Sequence, residues 1–194
     1  MGHPTIYPTG VTLFKPEKCW SGYTIFQAQE LGAVLMDMNG REINVWKGVH
    51  GMPNKILPGG YLVTSRGRRS GKYSVQDGLD VVQVDWDGNI VWKFDQNEFI
   101  EDPGFPGRWI ARYHHDFQRE GNPVGYFAPG MEPKALEGKT LILAHRNVRN
   151  SAISDKQLLD DLILEVDWNG DILWEWSCHE HFAEMGFREG PKNT

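Results

Sequence analysis

The sequence lacks the features that several large classes of protein require. Its two cysteines, Cys19 and Cys178, form neither a metal-binding spacing nor a disulfide framework, and we expect both to be reduced. No apolar run approaches the roughly 18 residues of a membrane span. The first residues, MGHPTIYPTG, have neither the charged start nor the apolar core of a secretory signal. We therefore expect a cytoplasmic protein with no membrane partner.

Strong charge of one sign and phosphate-binding motifs are also missing. A net charge of −6 over 194 residues gives no reason to expect nucleic acid as a partner. No glycine-rich loop follows a predicted strand and opens a helix, which argues against a dinucleotide cofactor. What the chain does contain is typical of a β protein, namely 22 glycines, 11 prolines and eight tryptophans.

One phrase occurs three times in the chain. VDWDGNIVW at 84–92 returns as VDWNGDILW at 166–174 and, less closely, as LMDMNGREINVW at 35–46. Asp-Gly and Asn-Gly tolerate the positive φ angles of tight hairpin turns, so each copy predicts two adjacent antiparallel strands. Each copy ends in a tryptophan at an equivalent place, and we expect all three in the core: Trp46, Trp92 and Trp174.

Hairpin copies at long spacing indicate a repeat architecture, in which each unit buries its apolar face against a neighbour. The aspartates before the turns lie about 48 and then about 82 residues apart, and the first interval matches one propeller blade. The second interval predicts an insertion near 122–138 and a longer link at 99–107. We therefore predict an all-β fold, a single partial β-propeller domain over 1–194, with blade hairpins near 34–46, 82–92 and 163–174.

The number of blades predicts a partner. About three blades cannot close a propeller, because closed forms have about four to eight, and an open stack would leave apolar blade faces in water. The third copy is also followed by no strand that resembles GYLVTSR or TLILAHR. We therefore expect a second polypeptide, from a split gene or a cleaved precursor, to complete the ring as a hetero-oligomer.

A histidine follows every hairpin, in the predicted loop before the next strand. They are His50 after the first, His114 and His115 after the second, and His179 and His181 after the third. Equivalent positions of successive blades converge around the axis of a propeller, so these side chains could line one pocket. For any single histidine, an ordinary hydrogen-bonded loop or core position is the alternative.

Two arginines stand at matching ends of the strands that come next. KILPGGYLVTSR at 55–66 and GKTLILAHR at 138–146 each predict an inner strand, ending at Arg66 and Arg146. A guanidinium group offers a planar fork suited to sulfate, phosphate or carboxylate oxygens, so both are candidates for anion binding. The alternative is an ordinary surface position, which we expect for three others: Arg68, Arg69 and Arg149.

Six segments in order carry a resemblance to a known family. They are GVTLFKPEKCWSGYTIF, the LMDMNG…VW hairpin, LPGGYLVTSR, VDWDGNIVWKF, the HHD of 114–116 and EWSCHEHFAEMGF. Together they resemble the arylsulfotransferase-like, or arylsulfate sulfotransferase, β-propeller proteins, over nearly the whole chain and about the first half of a family member. The resemblance implies a six-bladed propeller whose axial pocket moves a sulfuryl group from one phenol to another, without a metal or other cofactor.

The resemblance also implies roles for single residues. His115, with His114 close beside it, matches an axial histidine, while a His-x-Asn segment and the nucleophilic histidine are expected downstream of residue 194. This chain would then be a transferase that is inactive without the rest of the propeller. The catalytic candidates are His115, His50, Arg146, Arg66, His114 and His181. Tyr113 and Trp109 could line the pocket that binds a small aromatic substrate.

The chemistry of sulfuryl transfer accounts for these residue types. A neutral imidazole attacks sulfur, expels a phenolate and carries the sulfuryl group until a second phenol takes it. Charge builds on the sulfuryl oxygens and on the departing phenolate, so pre-placed cationic donors lower the barrier. We expect Arg146 and Arg66 to bind oxygens, and His115 and His50 to donate or accept protons.

Two other classes of function stay open. Several imidazoles converging on an axis could hold Fe(II), Mn(II) or Zn(II), which would make the protein a lyase, isomerase or oxygenase. The ligands would be His50, His115, His145 and His179 or His181. The chain could instead be a non-catalytic binding scaffold, because fold does not determine function.

Overall fold

The computed structural model describes residues 9, 11–70, 77–121, 130–132 and 134–186. The first sheet contains β1 (Thr24–Ala28), β2 (Gly32–Met36) and β3 (Glu42–Trp46). The second sheet contains β4 (Lys55–Leu57), β5 (Tyr61–Thr64), β6 (Val81–Val84) and β7 (Ile90–Phe94). A small sheet pairs β8 (Glu98–Ile100) with β9 (Arg108–Ile110). The third sheet contains β10 (Tyr113–Arg119), β11 (Thr140–Val148), β12 (Leu158–Val166) and β13 (Ile172–Ser177).

The predicted all-β fold class is confirmed. Every sheet is an antiparallel meander in which the strand order follows the chain, and none of these four sheets closes on itself. The described residues include two short 3-10 helices, Pro16–Lys18 and Cys178–Glu180, which lie outside the sheets. Across the described ranges, no helix is long and apolar enough to cross a membrane.

The three hairpins predicted from the repeated phrase are confirmed as β2–β3, β6–β7 and β12–β13. Their turns share one hydrogen-bond pattern around Asp37, Asp85 and Asp167. Each aspartate donates its backbone N–H to the carbonyl four residues on, and its carboxylate accepts two backbone N–H groups of the turn. An aspartate side chain that bonds the backbone in this way stabilises a turn locally, which is why the sequence pattern predicts it well.

The three hairpins share one register, but the tryptophan of the first hairpin stands at a different place in it. The place that Trp92 and Trp174 occupy in their ladders is taken by Asn44 in the first hairpin, and Trp46 lies two residues further along β3. The expectation that the three tryptophans are equivalent is therefore wrong for Trp46. Its indole still points to the same side of the sheet as Asn44, because side chains two residues apart in a strand share a face.

The second sheet is buried on both faces, because its side chains alternate between two cores. One face packs on the first sheet, in a cluster of Leu62, Val82, Val84, Ala33, Leu35 and Trp46. The other face packs on the third sheet, in a cluster that includes Val63, Val81, Trp92, Phe94, Phe117, Ile142 and Leu164. The first, second and third sheets therefore stack in chain order.

The predicted burial of the hairpin tryptophans holds for two of the three. Trp46 and Trp92 are buried, but the Trp174 side chain is 50% exposed, so its predicted core position is wrong. The physical reason is its place in the stack. Trp92 is covered by the third sheet, whereas no further sheet within the described residues packs against the face that carries Trp174.

The connections between the hairpins contain more structure than expected. The link at 99–107 lies inside the β8–β9 hairpin, and the segment 55–66 holds two strands, β4 and β5, where one inner strand was predicted. His114 and His115 lie within β10, so the expectation that they occupy a loop is wrong. Most of the predicted insertion near 122–138 lies outside the described residues.

Candidate functional site

A buried carboxylate, Asp77, organises the polar side chains at one end of the third sheet. Its Oδ1 lies 2.7 Å from Nδ1 of His145, and its Oδ2 accepts hydrogen bonds from Arg112 Nε at 2.9 Å and Arg69 Nη1 at 3.0 Å. Burial alone would raise the pKa of Asp77, but the hydrogen bond from His145 and the charge of Arg112 outweigh it and lower the pKa. Asp77 is therefore an ionised acceptor, and His145 donates to it through Nδ1–H.

A second set of contacts holds these donors in place. Arg112 Nη1 also donates to Glu98, and Arg69 donates to Asp102. Asn97 Nδ2 donates to the backbone carbonyls of Ala111 and His145, at 3.1 and 2.9 Å, which ties β8 and β11 together. Because each buried charge has a partner of opposite sign, the network can persist away from water.

On the other side of His145 lie His114 and Asp161. The Asp161 Oδ1 atom is 2.9 Å from His114 Nε2 and 3.3 Å from His145 Nε2. The two imidazole rings stack with centroids 3.8 Å apart and planes 12° apart. The buried His114 Nε2 makes no aligned hydrogen bond to any residue in the described part of the chain, although the carboxylate is close. We call Asp77, Arg69, Arg112, His114, His145 and Asp161 the Asp77 cluster.

The three facing atoms of His114, His145 and Asp161 need a proton or a metal ion among them. Two imidazole Nε2 atoms and one carboxylate oxygen lie within 4.8 Å of one another. Lone pairs that converge repel one another unless a proton or a metal ion lies among them. The arrangement can therefore act as a proton-transfer site or as a metal site.

The pKa of His114 favours the neutral imidazole. Burial lowers this pKa first, and the nearby charge of His145 lowers it further, against a smaller opposing effect of Asp161. A neutral His114 offers a lone pair to a proton or a metal. This is the state that both kinds of site require.

The backbone around the site is strained at two residues. Arg112 and His115 adopt positive φ angles of 48° and 59°, a region that residues other than glycine rarely occupy, at a cost of about 1–3 kcal/mol each. A bulge interrupts the pairing of β10 with β11 between Tyr113 and Phe117. The usual alternation is therefore interrupted: Tyr113 and His114 are both buried, and His115 and Asp116 are both exposed.

The structure brings together three of the predicted site histidines: His114, His115 and His145. The His115 ring lies 5.2 Å from the His114 ring, and His145 stacks on His114 from the other strand. Arg146 follows His145 in β11, but its Nη1 lies 3.0 Å from both Glu175 oxygens and its Nη2 donates to Asn97 Oδ1 at 2.9 Å. The Glu175 carboxylate thus binds the guanidinium group of Arg146, which the sequence predicts to bind sulfuryl oxygens.

The other predicted catalytic or metal-binding residues lie apart. His50 is exposed and donates its backbone N–H to Ser65, while Arg66 pairs with Asp80 at 3.1 Å. The other two are His179, paired with Asp160, and His181, stacked on Trp176. In the described ranges, no hydrogen bond, ion pair or ring contact joins these four to the Asp77 cluster.

The two aromatic residues proposed as substrate walls occupy different environments. Tyr113 is buried between the second and third sheets, where its ring contacts Phe117 at 5.5 Å and Gly78 approaches it closely. Trp109 is half exposed on β9 and packs edge-on against Phe99 at 5.9 Å. Only Trp109 of the two therefore presents a large surface to solvent.

Several residues of the site were not among the sequence candidates. The expected surface position of Arg69 is wrong, because its side chain is 11% exposed and pairs with Asp77. A signal for Asp161 was present in LLDDLILEV, where two acidic residues interrupt an apolar strand and so require partners. Asp77 had no such signal, since its partner His145 is 68 residues away.

Comparison with known proteins identifies no relative of this chain. No protein-family model matches it, and neither a curated protein nor a solved structure is significantly similar to it. The resemblance to arylsulfotransferase-like propellers therefore stays a prediction from the sequence.

Proposed function

We propose that this chain is part of a β-propeller enzyme that transfers a sulfuryl group between phenolic compounds. Six segments of the sequence resemble that family, and three antiparallel sheets stacked in chain order are compatible with consecutive blades. The observation that carries the proposal is the Asp77–His145 pair. A buried, ionised carboxylate holds Nδ1 of the imidazole at 2.7 Å, so that Nε2 is available for proton transfer.

In this proposal His145 acts on the acceptor phenol. The phenol O–H proton passes to His145 Nε2 while the phenol oxygen forms a bond to sulfur and the bond from sulfur to the carrier histidine breaks. Asp77 stabilises the imidazolium that results. The carrier histidine comes from the part of the family pattern expected downstream of residue 194.

The proposed binding of sulfuryl oxygens requires an exchange of partners. Arg146 is held by Glu175, a half-exposed carboxylate on the edge strand β13. An exposed ion pair contributes only about 0–1 kcal/mol, so a sulfate ester can replace Glu175 at little cost. Arg66, paired with Asp80, would bind an anion only if that pair opened in the same way.

The proposed enzyme is assembled from two polypeptides. A second polypeptide supplies the remaining blades and the carrier histidine, and the isolated chain is inactive. Among the residues that the structure describes, no sheet covers one side of the third sheet, which supports this proposal.

A second candidate is a metal-dependent lyase, isomerase or oxygenase, favoured by the convergence of His114, His145 and Asp161. Two imidazoles and one carboxylate suit Fe(II), Mn(II) or Zn(II), and Asp77 would orient the His145 ring through Nδ1. The stacked rings set a condition on this candidate. Parallel planes 3.8 Å apart do not meet at one ion, so one ring must turn before both Nε2 atoms can bind it.

The test uses the complex purified from its source, with aryl sulfate as donor and a second phenol as acceptor. His145→Gln should lower turnover by about 100-fold or more, as expected for loss of a general acid–base. His179→Gln is the matched control, because His179 also pairs with an aspartate but lies outside the Asp77 cluster. Unchanged turnover in His145→Gln, or in both His115→Ala and Arg146→Ala, would contradict the proposal.

Metal analysis of the same sample separates the two candidates. One equivalent of a transition metal, with activity lost to a chelator, would favour the metal-dependent enzyme. Activity that persists in chelator, together with a sulfuryl adduct on a histidine detected by mass spectrometry, would favour sulfuryl transfer.

A further inference from the structure

Each hairpin of the first two sheets is fastened to the next sheet by the same kind of contact. Trp46 Nε1 donates a hydrogen bond of 2.7 Å to the backbone carbonyl of Asp85, the first residue of the next hairpin turn. Its ring meets the Trp86 ring edge-on at 5.6 Å. Asn44 adds a bond of 2.8 Å from Nδ2 to the Trp86 carbonyl. The first sheet therefore binds an Asp-Trp turn of the second.

The second sheet repeats this contact on the third. Trp92 Nε1 donates to the Asp167 carbonyl at 3.3 Å, and its ring stacks with Trp168 at 6.3 Å. The Arg119 guanidinium group lies 4.8 Å from the centre of each of these rings, and burial lowers its pKa to about 10. The acceptor is again the aspartate that begins an Asp-Trp-x-Gly turn.

The third sheet carries the same donor with no acceptor. Trp174 holds the register place of Trp92. It is 50% exposed, and no residue in the described part of the chain accepts a hydrogen bond from its indole N–H. By the alternation of the strands, it shares one side of the sheet, which we call the far face, with Leu141, Leu143, Ile163, Glu165 and Trp176.

The far face corresponds residue by residue to the covered face of the second sheet. Leu141, opposite Glu165, stands where Val63 stands opposite Gln83, yet Leu141 is 42% exposed and Val63 is 1% exposed. Adjacent large apolar side chains left in water mark an interaction surface. The far face therefore continues the series of sheet-to-sheet interfaces seen twice within the chain.

We propose that the far face binds a hairpin of a second polypeptide whose turn has the sequence Asp-Trp-x-Gly. The aspartate carbonyl accepts the Trp174 indole N–H, and the tryptophan after it packs on the Trp174 ring. A second copy of this chain fits less well. Its turns in the second and third sheets are those described above, and the remaining turn, in its first sheet, begins Asp37-Met38 and lacks the tryptophan present at both interfaces within the chain. The Thr9 hydroxyl also already binds the Asn39 carbonyl in that turn.

Photochemical cross-linking in the native cells tests this proposal. Trp174, half exposed, is replaced by p-benzoylphenylalanine, and the cross-linked peptides are sequenced after irradiation. We expect a cross-link to an Asp-Trp-x-Gly segment that is not in this sequence. A cross-link to residues 37–40 of a second copy, or none at all, would overturn the proposal. The matched control is Trp20, which is 92% exposed and outside the far face, and should give no such product.

Hydroxyl-radical footprinting provides a measurement on the unmodified protein. In the purified complex, oxidation of Trp174 should fall several-fold relative to the isolated chain, while oxidation of Trp20 stays the same. Equal oxidation of Trp174 in both samples would show that the far face is uncovered. The inference rests on the proposed partner and uses no activity, so its failure is distinguishable from a failure of the sulfuryl-transfer proposal.

Discussion

The second and third sheets are built on the same pattern, but their corresponding faces have opposite environments. Trp92 in the second sheet is covered by Trp168 and Arg119, whereas Trp174 in the same register place is half exposed. The local sequences VDWDGNIVW and VDWNGDILW are nearly identical. The hairpin sequence therefore determines which side chains share a face of the sheet. Whether that face is buried depends on a neighbouring sheet.

The largest expected effect is at the covered tryptophan. Trp92→Ala removes a buried indole, its hydrogen bond to Asp167 and one of the two tryptophan rings that contact the Arg119 guanidinium group. We expect the free energy of unfolding of the isolated chain to fall by about 4–5 kcal/mol, because truncation of a buried Trp leaves a cavity. Urea denaturation measures the change. A loss below about 1 kcal/mol would mean that the third sheet does not cover Trp92 in solution.

Substitution in the Asp77 cluster should lower the free energy of unfolding nearly as much, because its ion pairs are buried and all its partners lie within this chain. Asp77→Asn removes the charge that balances Arg112 and Arg69 and orients His145. Breaking a buried ion pair by removing one partner should cost about 3 kcal/mol. Denaturation of Asp77→Asn against Asp87→Asn, an exposed aspartate in a turn, provides the measurement and its control.

A smaller effect is expected from pH. Because the pKa of His114 is lowered in the folded chain, the unfolded chain binds more protons between the two pKa values. The contribution of neutral His114 to the free energy of unfolding is fully present above the ordinary histidine pKa of about 6.5. It is lost as the pH falls below that value and through the lower pKa of the folded chain. Denaturation at a series of pH values should show this slope in the parent and in His179→Asn. A slope that persists in His114→Asn would contradict the assignment.

The smallest effect is expected at the exposed tryptophan. Trp174→Ala should change the free energy of unfolding of the isolated chain by about 0.5 kcal/mol or less, as is usual for surface positions. In the proposed complex the same substitution should weaken assembly, because the far face would form the interface. A loss of several kcal/mol in the isolated chain would mean that Trp174 is covered without a partner.

The features predicted from sequence are those that depend on local chemistry. The three turns depend on Asp37, Asp85 and Asp167 bonding their own neighbours, so the all-β class and the hairpins could be predicted. All three hairpins have the same irregularity, after Leu35, Gln83 and Glu165, and the same register. The wrong equivalence of Trp46 arose because Trp46 lies two residues further from its turn than the other tryptophans do.

The candidate site was predicted only in part, because its central contacts are distant in sequence. The histidines of HHD and His145 were identified by residue type, and the structure brings them together. Asp77 reaches His145 only after the second and third sheets have packed. The prediction that Arg146 binds an anionic substrate did not foresee its contact with Glu175. That contact depends on the pairing of β12 with β13, which no local pattern reveals.

One consequence follows from the alternation of side chains along β11 and β12. His145 and Asp161, which pair across the two strands, lie an even number of residues from Leu141 and Glu165 and so belong to the same side of the sheet. A partner that shields the apolar end of that side therefore extends toward the histidine end, where the Asp161 side chain is still open to water. Assembly would then complete the exclusion of water from the site, because Asp161 is exposed while the two imidazoles beside it are already buried.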